Sequence, residues 1–266
     1  MRFLVFRLYA PLCSFGDVAV GELRPSLSAP TRSMILGLLS ACLGIPRHDE
    51  VGQAEIERSI GVATRTDAPG ALLVDFHTAQ APGELGIRTF IKREGRPMET
   101  RREELEASVD KDGNRRRPDT QISQRQYRVD AAFAVCVWLR VDDVRYSIET
   151  LADHLRCPVY TPFAGRKSAV IGLPFEPTLI EASDPVSALR DARFSLDDTI
   201  EKLILSKSAQ RTYRWESDMT RWPDVRHHRI EVRRDRIASR ARWQFLTREE
   251  HVHIETKEPA DVPQHP

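Results

Sequence analysis

At 266 residues with 41% apolar content, the chain can build one sizeable core with an appended segment, since domains usually run to roughly 100 to 200 residues. No stretch approaches the roughly 20 apolar residues of a membrane helix, and Arg7 interrupts the apolar start Phe3 to Leu8, so a soluble, cytoplasmic chain without a secretory signal is expected. The net charge of +1 hides a segregation: Asp142 to Glu201 carries six Arg/Lys against eleven Asp/Glu, whereas Leu205 to Arg248 carries twelve against five, a balance of +7.

Phe3 to Tyr9 reads as a central strand stopped by Pro11, and Cys13 to Pro30, rich in Gly, Ser and Pro, reads as a long loop. Thr31 is a good N-cap for a helix in which Met34, Ile35, Leu38, Leu39, Cys42 and Leu43 recur on one face, before Gly44 and Pro46 end it. A weaker helix follows over Glu50 to Ile60. Gly61 to Arg65 and Leu72 to Thr78 read as strands joined by the turn Asp67-Ala68-Pro69-Gly70.

Between Gly83 and Arg128 the hydrophobic period is lost, which predicts an excursion from the domain. Its expected form is a hairpin arm with flanks Leu85 to Lys92 and Ile122 to Arg128 and a mobile tip near Lys111 to Arg117. Ala131 to Leu139 then suits a buried strand and Val144 to Leu155 a helix, with short apolar pieces at Val159-Tyr160 and Ala169 to Leu173. This order predicts an α+β, ferredoxin-like (RRM-like) domain over 1–200, with an inserted β-hairpin thumb at about 83–128. Residues 201–266 are expected to be a small basic C-terminal β region, with strands over Arg229 to Arg236 and Ala241 to Leu246 and a disordered tail.

The four cysteines are scattered, three of them in apolar runs, which fits a reducing compartment. His227-His228 and His251-x-His253 are the candidate metal ligands; adjacent strand residues face opposite ways and neither pair has Cys support, so no metal or other cofactor is expected. There is no Gly-x-Ser-x-Gly elbow and no Gly-x-x-x-x-Gly-Lys loop, which removes acyl transfer and nucleotide hydrolysis. His77, Tyr160 and Lys167 could supply base, acid and cation to a metal-independent ribonuclease, yet each is equally a strand-end, core or loop residue.

Binding features are more coherent. Thr31-Arg32-Ser33 places hydroxyls and a guanidinium at a helix N-terminus, where unpaired N–H groups attract anions. Gly165-Arg166-Lys167-Ser168 lets backbone approach a phosphate beside two cations. A basic segment carrying Trp215, Trp222, Trp243 and Phe245 could bind phosphates and stack bases, although core is the favoured place for Trp243 and Phe245.

Three stretches together resemble the CasD-type subunits of type I-E Cascade CRISPR effectors, within the RAMP superfamily. They are Ala29-Pro30-Thr31-Arg32-Ser33 running into Leu36-Gly37-Leu38-Leu39, then Asp75-Phe76-His77-Thr78, then Tyr160-Thr161-Pro162-Phe163 with Gly165-Arg166-Lys167-Ser168. Phe6-Arg7-Leu8, Ala10-Pro11 and Phe15-Gly16 agree, and the likeness fades beyond Asp191. The resemblance implies a non-catalytic subunit that caps the 5′ handle of the guide RNA (crRNA) beside the backbone and large subunits and meets target DNA only indirectly. It further implies that Arg32, Arg166 and Lys167 hold handle phosphates with Ser33, Gly165 and His77 nearby, and that Tyr160 and Phe15 contact bases. The thumb, with Arg88, Lys92, Arg125 and Arg128, would press on the guide and the next subunit. The alternative is a metal-independent endoribonuclease that processes CRISPR repeat RNA.

Overall fold

The computed structural model describes residues 1–108, 112, 114, 118–195, 210–216, 229–239 and 242–256. Its first strand, β1 (Arg2–Cys13), is buried on both faces over most of its length. Successive strand residues point to opposite sides, so Leu4, Phe6 and Leu8 enter one core while Phe3 and Val5 enter another. The strand continues through Pro11, where the sequence predicts a stop. Pro11 sits between the pairs Ala10–Ala131 and Leu12–Val129, past the reach of β6 (Thr178–Glu181), which pairs β1 only from Arg2 to Val5. Among the described residues one edge of β1 is therefore without a neighbouring strand there, and a residue lacking an N–H costs no ladder bond on that edge.

On one face of the sheet lie α1 (Arg32–Cys42), α2 (Glu50–Ser59) and α5 (Ile148–Arg156). Ile35, Leu36 and Leu39 of α1, Ile56 of α2, and Leu151 and Leu155 of α5 pack with Leu4, Phe6, Phe133, Val135 and Val137. Thr31 caps α1 as expected, its Oγ1 accepting from the Met34 N–H at 3.3 Å. The last of these helices starts four residues later than the hydrophobic period suggests, because Ser147 caps it by accepting from the Thr150 N–H at 3.2 Å.

The chain continues through β3 (Ile60–Ala68), a turn in which Gly70 takes φ +69°, β4 (Ala71–Ala81) and β5 (Asp119–Leu139). The sheet reads β6-β1-β5-β3, antiparallel at every step. Counted along the chain with β2 (Leu23–Arg24) and β4 set aside, that order is fourth, first, third, second. The fourth strand is β6; the apolar pieces at 159–160 and 169–173 lie in loop instead, among Pro158, Pro162 and Pro174.

Beyond residue 200 the described chain adds β7 (Gln210–Glu216), β8 (Arg229–Ser239) and β9 (Gln244–Thr256). They prolong the same sheet as β3-β7-β9-β8, with Arg65 opposite Tyr213, so the basic C-terminal strands continue the main ladder. Between them and β6, α6 (Pro185–Asp191) places Val186 and Leu189 with Tyr213, Trp215 and Trp138 on the sheet's second face.

The chain divides into two compact units, one of residues 1–18, 25–73 and 126–266, the other of residues 19–24 and 74–125. The second unit holds most of β4, the start of β5, the short strand β2 (Leu23–Arg24) parallel to β5, and two helices, α3 (Glu84–Glu94) and α4 (Arg101–Glu106). The flank Leu85 to Lys92, expected as a hairpin strand, is thus helical, whereas Ile122 to Arg128 is strand. Helix signals account for it: the Gly95 N–H closes α3 on the Ile91 carbonyl at 2.8 Å with φ +69°, and a Thr100–Glu103 capping box opens α4. Within 111–117 only Asp112 and Asn114 are among the described residues, and the tail after Thr256 lies outside them. No helix among the described residues is long and apolar enough to cross a membrane.

Candidate nucleic-acid interface

The end of α1 positions the first wall of a large cavity. A helix leaves its last carbonyls without partners, and here those of Ala41 and Cys42 accept from the Tyr160 and Val159 N–H groups at 3.0 and 2.9 Å. This fixes Tyr160 beside the helix with its side chain half exposed. The loop that follows is closed by the Ala164 N–H on the Ala169 carbonyl and the Ala169 N–H on the Arg166 carbonyl, both at 2.8 Å. It is pinned to the segment after β1 by the Ser14 N–H on the Ala164 carbonyl at 3.1 Å. Together α1, residues 14–17 and residues 160–167 line a cavity of about 710 Å³, to which Arg47, Trp243 in the turn before β9 and Phe245 of β9 also contribute.

Ser33, Tyr160, Gly165 and Lys167 all line this cavity, so residues of two of the resembling stretches meet in space. Lys167 is exposed, Ser33 half-buried with its hydroxyl 3.3 Å from that of Thr31. Arg166 stands beside the cavity with its guanidinium 4.5 Å from the centre of the Tyr127 ring. Arg128, half-buried, belongs to the first unit too, and its carbonyl accepts from the Cys13 thiol at 3.6 Å.

Two expected contacts are corrected. Phe15 is fully buried and meets Phe133 edge-on at 5.3 Å, so its ring is core and cannot stack on a base. Arg32 is buried as well, paired with Glu57 and Glu216 and donating to the Glu57 and Ile60 carbonyls at 2.8 and 3.0 Å. Even the expected anion site at the start of α1 is taken, since the Arg32 N–H donates to the Asp235 carboxylate of β8 at 2.7 Å. Burial lowers the Arg32 pKa and raises that of Glu57, each opposed by the partner's charge.

This pairing belongs to a larger set. Arg214 meets Glu231 and Glu250, Arg233 meets the same two carboxylates, and Arg248 meets Asp235 and Glu250 at 2.6 and 2.7 Å. Arg214, Arg233 and Arg248 are therefore spent on carboxylates of β8 and β9, which a count of charges along the chain does not reveal.

In the second unit, His77 is exposed on β4 and Lys92 on the last turn of α3, Arg88 pairs with Glu84, and the Arg125 Nε donates to the Ser123 Oγ at 3.2 Å. Cys13, Cys42 and Cys136 are buried, the first two with thiols that burial pushes up to about 12, so they behave as small apolar groups. Among the described residues no cluster of three or more His, Cys, Asp or Glu could hold a metal ion. His251 stacks on Trp215 at 5.4 Å, His253 lies 6.1 Å from Tyr213, and His227, His228 and Trp222 are outside the described residues.

Sequence reasoning passed over Arg47 and misplaced Trp243. The Arg47 guanidinium lies 3.8 Å from the centre of the Trp243 indole, which is 56% exposed and not core. The available signal was a cation directly after Pro46 at the end of α1, but its aromatic partner is almost two hundred residues away.

Comparison with known proteins agrees with this architecture. A model described as CRISPR-associated protein (Cas_Cas5) matches residues 3–250. The CRISPR system Cascade subunit CasD of Escherichia coli (strain K12) is 32% identical over 187 residues, 70% of this chain and 75% of that protein. A subunit of a solved CRISPR RNA-guided surveillance complex superposes with a TM-score of 0.62 at 23% identity, covering 99% of this chain and 94% of its own. A solved Cas protein gives 0.53 at 20% identity, covering 99% of both. By the family match over nearly its whole length, this chain belongs to the Cas5 family of CRISPR-associated proteins.

Proposed function

We propose that this chain is a non-catalytic, Cascade-type subunit that binds and caps the 5′ handle of the crRNA in antiviral defence. The observation that carries the reading is the cavity in which Ser33, Tyr160, Gly165 and Lys167 converge. A half-exposed aromatic ring can stack on a base, a glycine lets the backbone approach a phosphate, and an exposed lysine neutralises it. Arg166 adds a second cation from the same loop. The strand order fourth, first, third, second, with α1 and α5 on one face, supports a ferredoxin-like core. The unit of residues 74–125, with Arg88, Lys92, Arg125 and His77, is read as the thumb that meets RNA and a neighbouring backbone subunit, in spite of its helices. Guide–target pairing would carry sequence information, so this subunit's task is to set the register of one RNA end.

The test is a titration of the full chain with labelled repeat RNA in EDTA over a salt series, scoring binding and cleavage in the same tubes. Salt-sensitive binding without product is expected. Lys167→Ala should lower affinity and reduce the slope of log K against log salt by about 0.7, the share of one phosphate contact to a single strand. A discrete product lost in His77→Ala would replace this reading with a repeat-processing ribonuclease.

A further inference from the structure

The cavity has a wall that the handle motifs do not provide. Trp243 and Phe245 come from the turn before β9 and from its start, outside the three resembling stretches. Trp243 takes φ +51°, a left-handed conformation that is an outlier for so bulky a side chain. The result is a large ring held at the cavity wall, more than half exposed. Phe245 stands 6.2 Å from it, tilted by 39°, and Arg47 lies over one face of the indole at 3.8 Å.

We infer that Trp243, with Arg47 and Phe245, forms a stacking subsite for one unpaired nucleobase of the bound RNA, its adjoining phosphate held by Lys167 and Arg47. This rests on the handle-binding reading and adds to it a named base site built by the C-terminal hairpin. Three features select a nucleotide as the occupant. An indole face stacks on any base, and its cation–π partner polarises it further. The volume of about 710 Å³ falls in the range of pockets that enclose ligands of nucleotide size. Lys167 and Arg47 complement a phosphodiester, while the mainly apolar interior, including Met34 and Leu38, suits a base removed from water. Asp17 is the carboxylate of this lining, a hydrogen-bond acceptor for the amino or imino groups of a base edge.

The experiment uses the full chain and repeat RNAs carrying one 2-aminopurine at successive positions of the 5′ handle, in EDTA. Binding is followed by anisotropy and stacking by 2-aminopurine emission. One position is expected to be strongly quenched on binding. Trp243→Leu should abolish that quench and weaken binding on the order of tenfold, Trp243→Phe should keep most of it, and all should melt at the wild-type temperature. A measurement needing no variant is photocrosslinking of 5-iodouridine RNA to the unaltered chain, with the adduct expected on the peptide containing Trp243. RNA bound with the same emission at every position in wild type and Trp243→Leu, or crosslinked only elsewhere, overturns the stacking subsite and leaves handle binding standing. No RNA bound by the wild-type chain overturns both.

Discussion

Gly165 takes φ +92°, and a Cβ built there would lie 1.8 Å from the Ser14 carbonyl oxygen, so any side chain forces the two loops of the cavity apart. Gly165→Ala should therefore destabilise the chain by roughly 1–3 kcal/mol, from left-handed strain and the clash together, read as a lower urea midpoint with unchanged slope. Arg32 gives a sharper contrast between two roles. Were it a phosphate ligand, its loss would weaken RNA binding and spare the fold. Lodged between Glu57 and Glu216, it instead holds the buried Glu216 carboxylate and the largely covered Glu57 carboxylate. Arg32→Ala should cost on the order of 3 kcal/mol of stability, the low end for breaking a buried pair, because Arg140 stays paired with Glu216; the same urea titration measures it.

At the scale of elements, the ion pairs across β7, β8 and β9 make their packing sensitive to acid. Burial would raise the Glu231 pKa, but Arg214 and Arg233 outweigh it and hold the carboxyl below its ordinary 4.5. The same balance at Asp184, the N-cap of α6, goes to the Ser187 hydrogen bonds, which keep it below 3.8. A group depressed in the folded chain binds fewer protons there than when unfolded, so stability rises with pH across that window. Thermal melts should thus fall as pH drops below about 4.5, and Glu231→Gln should flatten that dependence. Glu57, raised by burial, acts above 4.5 and in the opposite sense, so the two contributions separate along the pH axis. The C-terminal strands also changed meaning once paired: their arginines serve first to join β7, β8 and β9 to one another and, through Asp235 and Arg32, to α1.

For the whole molecule, the two units differ in how much they bury. The unit of residues 74–125 has Phe90, Ala107 and a few small residues inside, whereas β1, α1 and β5 carry a continuous apolar core. Sparse burial means low-energy local opening, so amide hydrogen exchange should be fast in α3 and α4 and slowest in β1 and residues 131–138. The sequence by itself determined the elements whose signals are local. The capped, periodic α1, the apolar run of β5, the Pro-Gly turn after β3, and the three resembling stretches were all readable because each depends on neighbours a few residues apart. The tertiary structure alone decided which charges stay available. Arg32 and Lys167 look alike in sequence as cations beside hydroxyls and glycine, yet one is enclosed by carboxylates from α2 and β7 and the other faces solvent. The same holds for Phe15 and Trp243, aromatic residues whose exchange of core and cavity roles follows from contacts with Phe133 and Arg47, each more than a hundred residues away. Burial and charge pairing are sums over long-range contacts, and no local pattern encodes them.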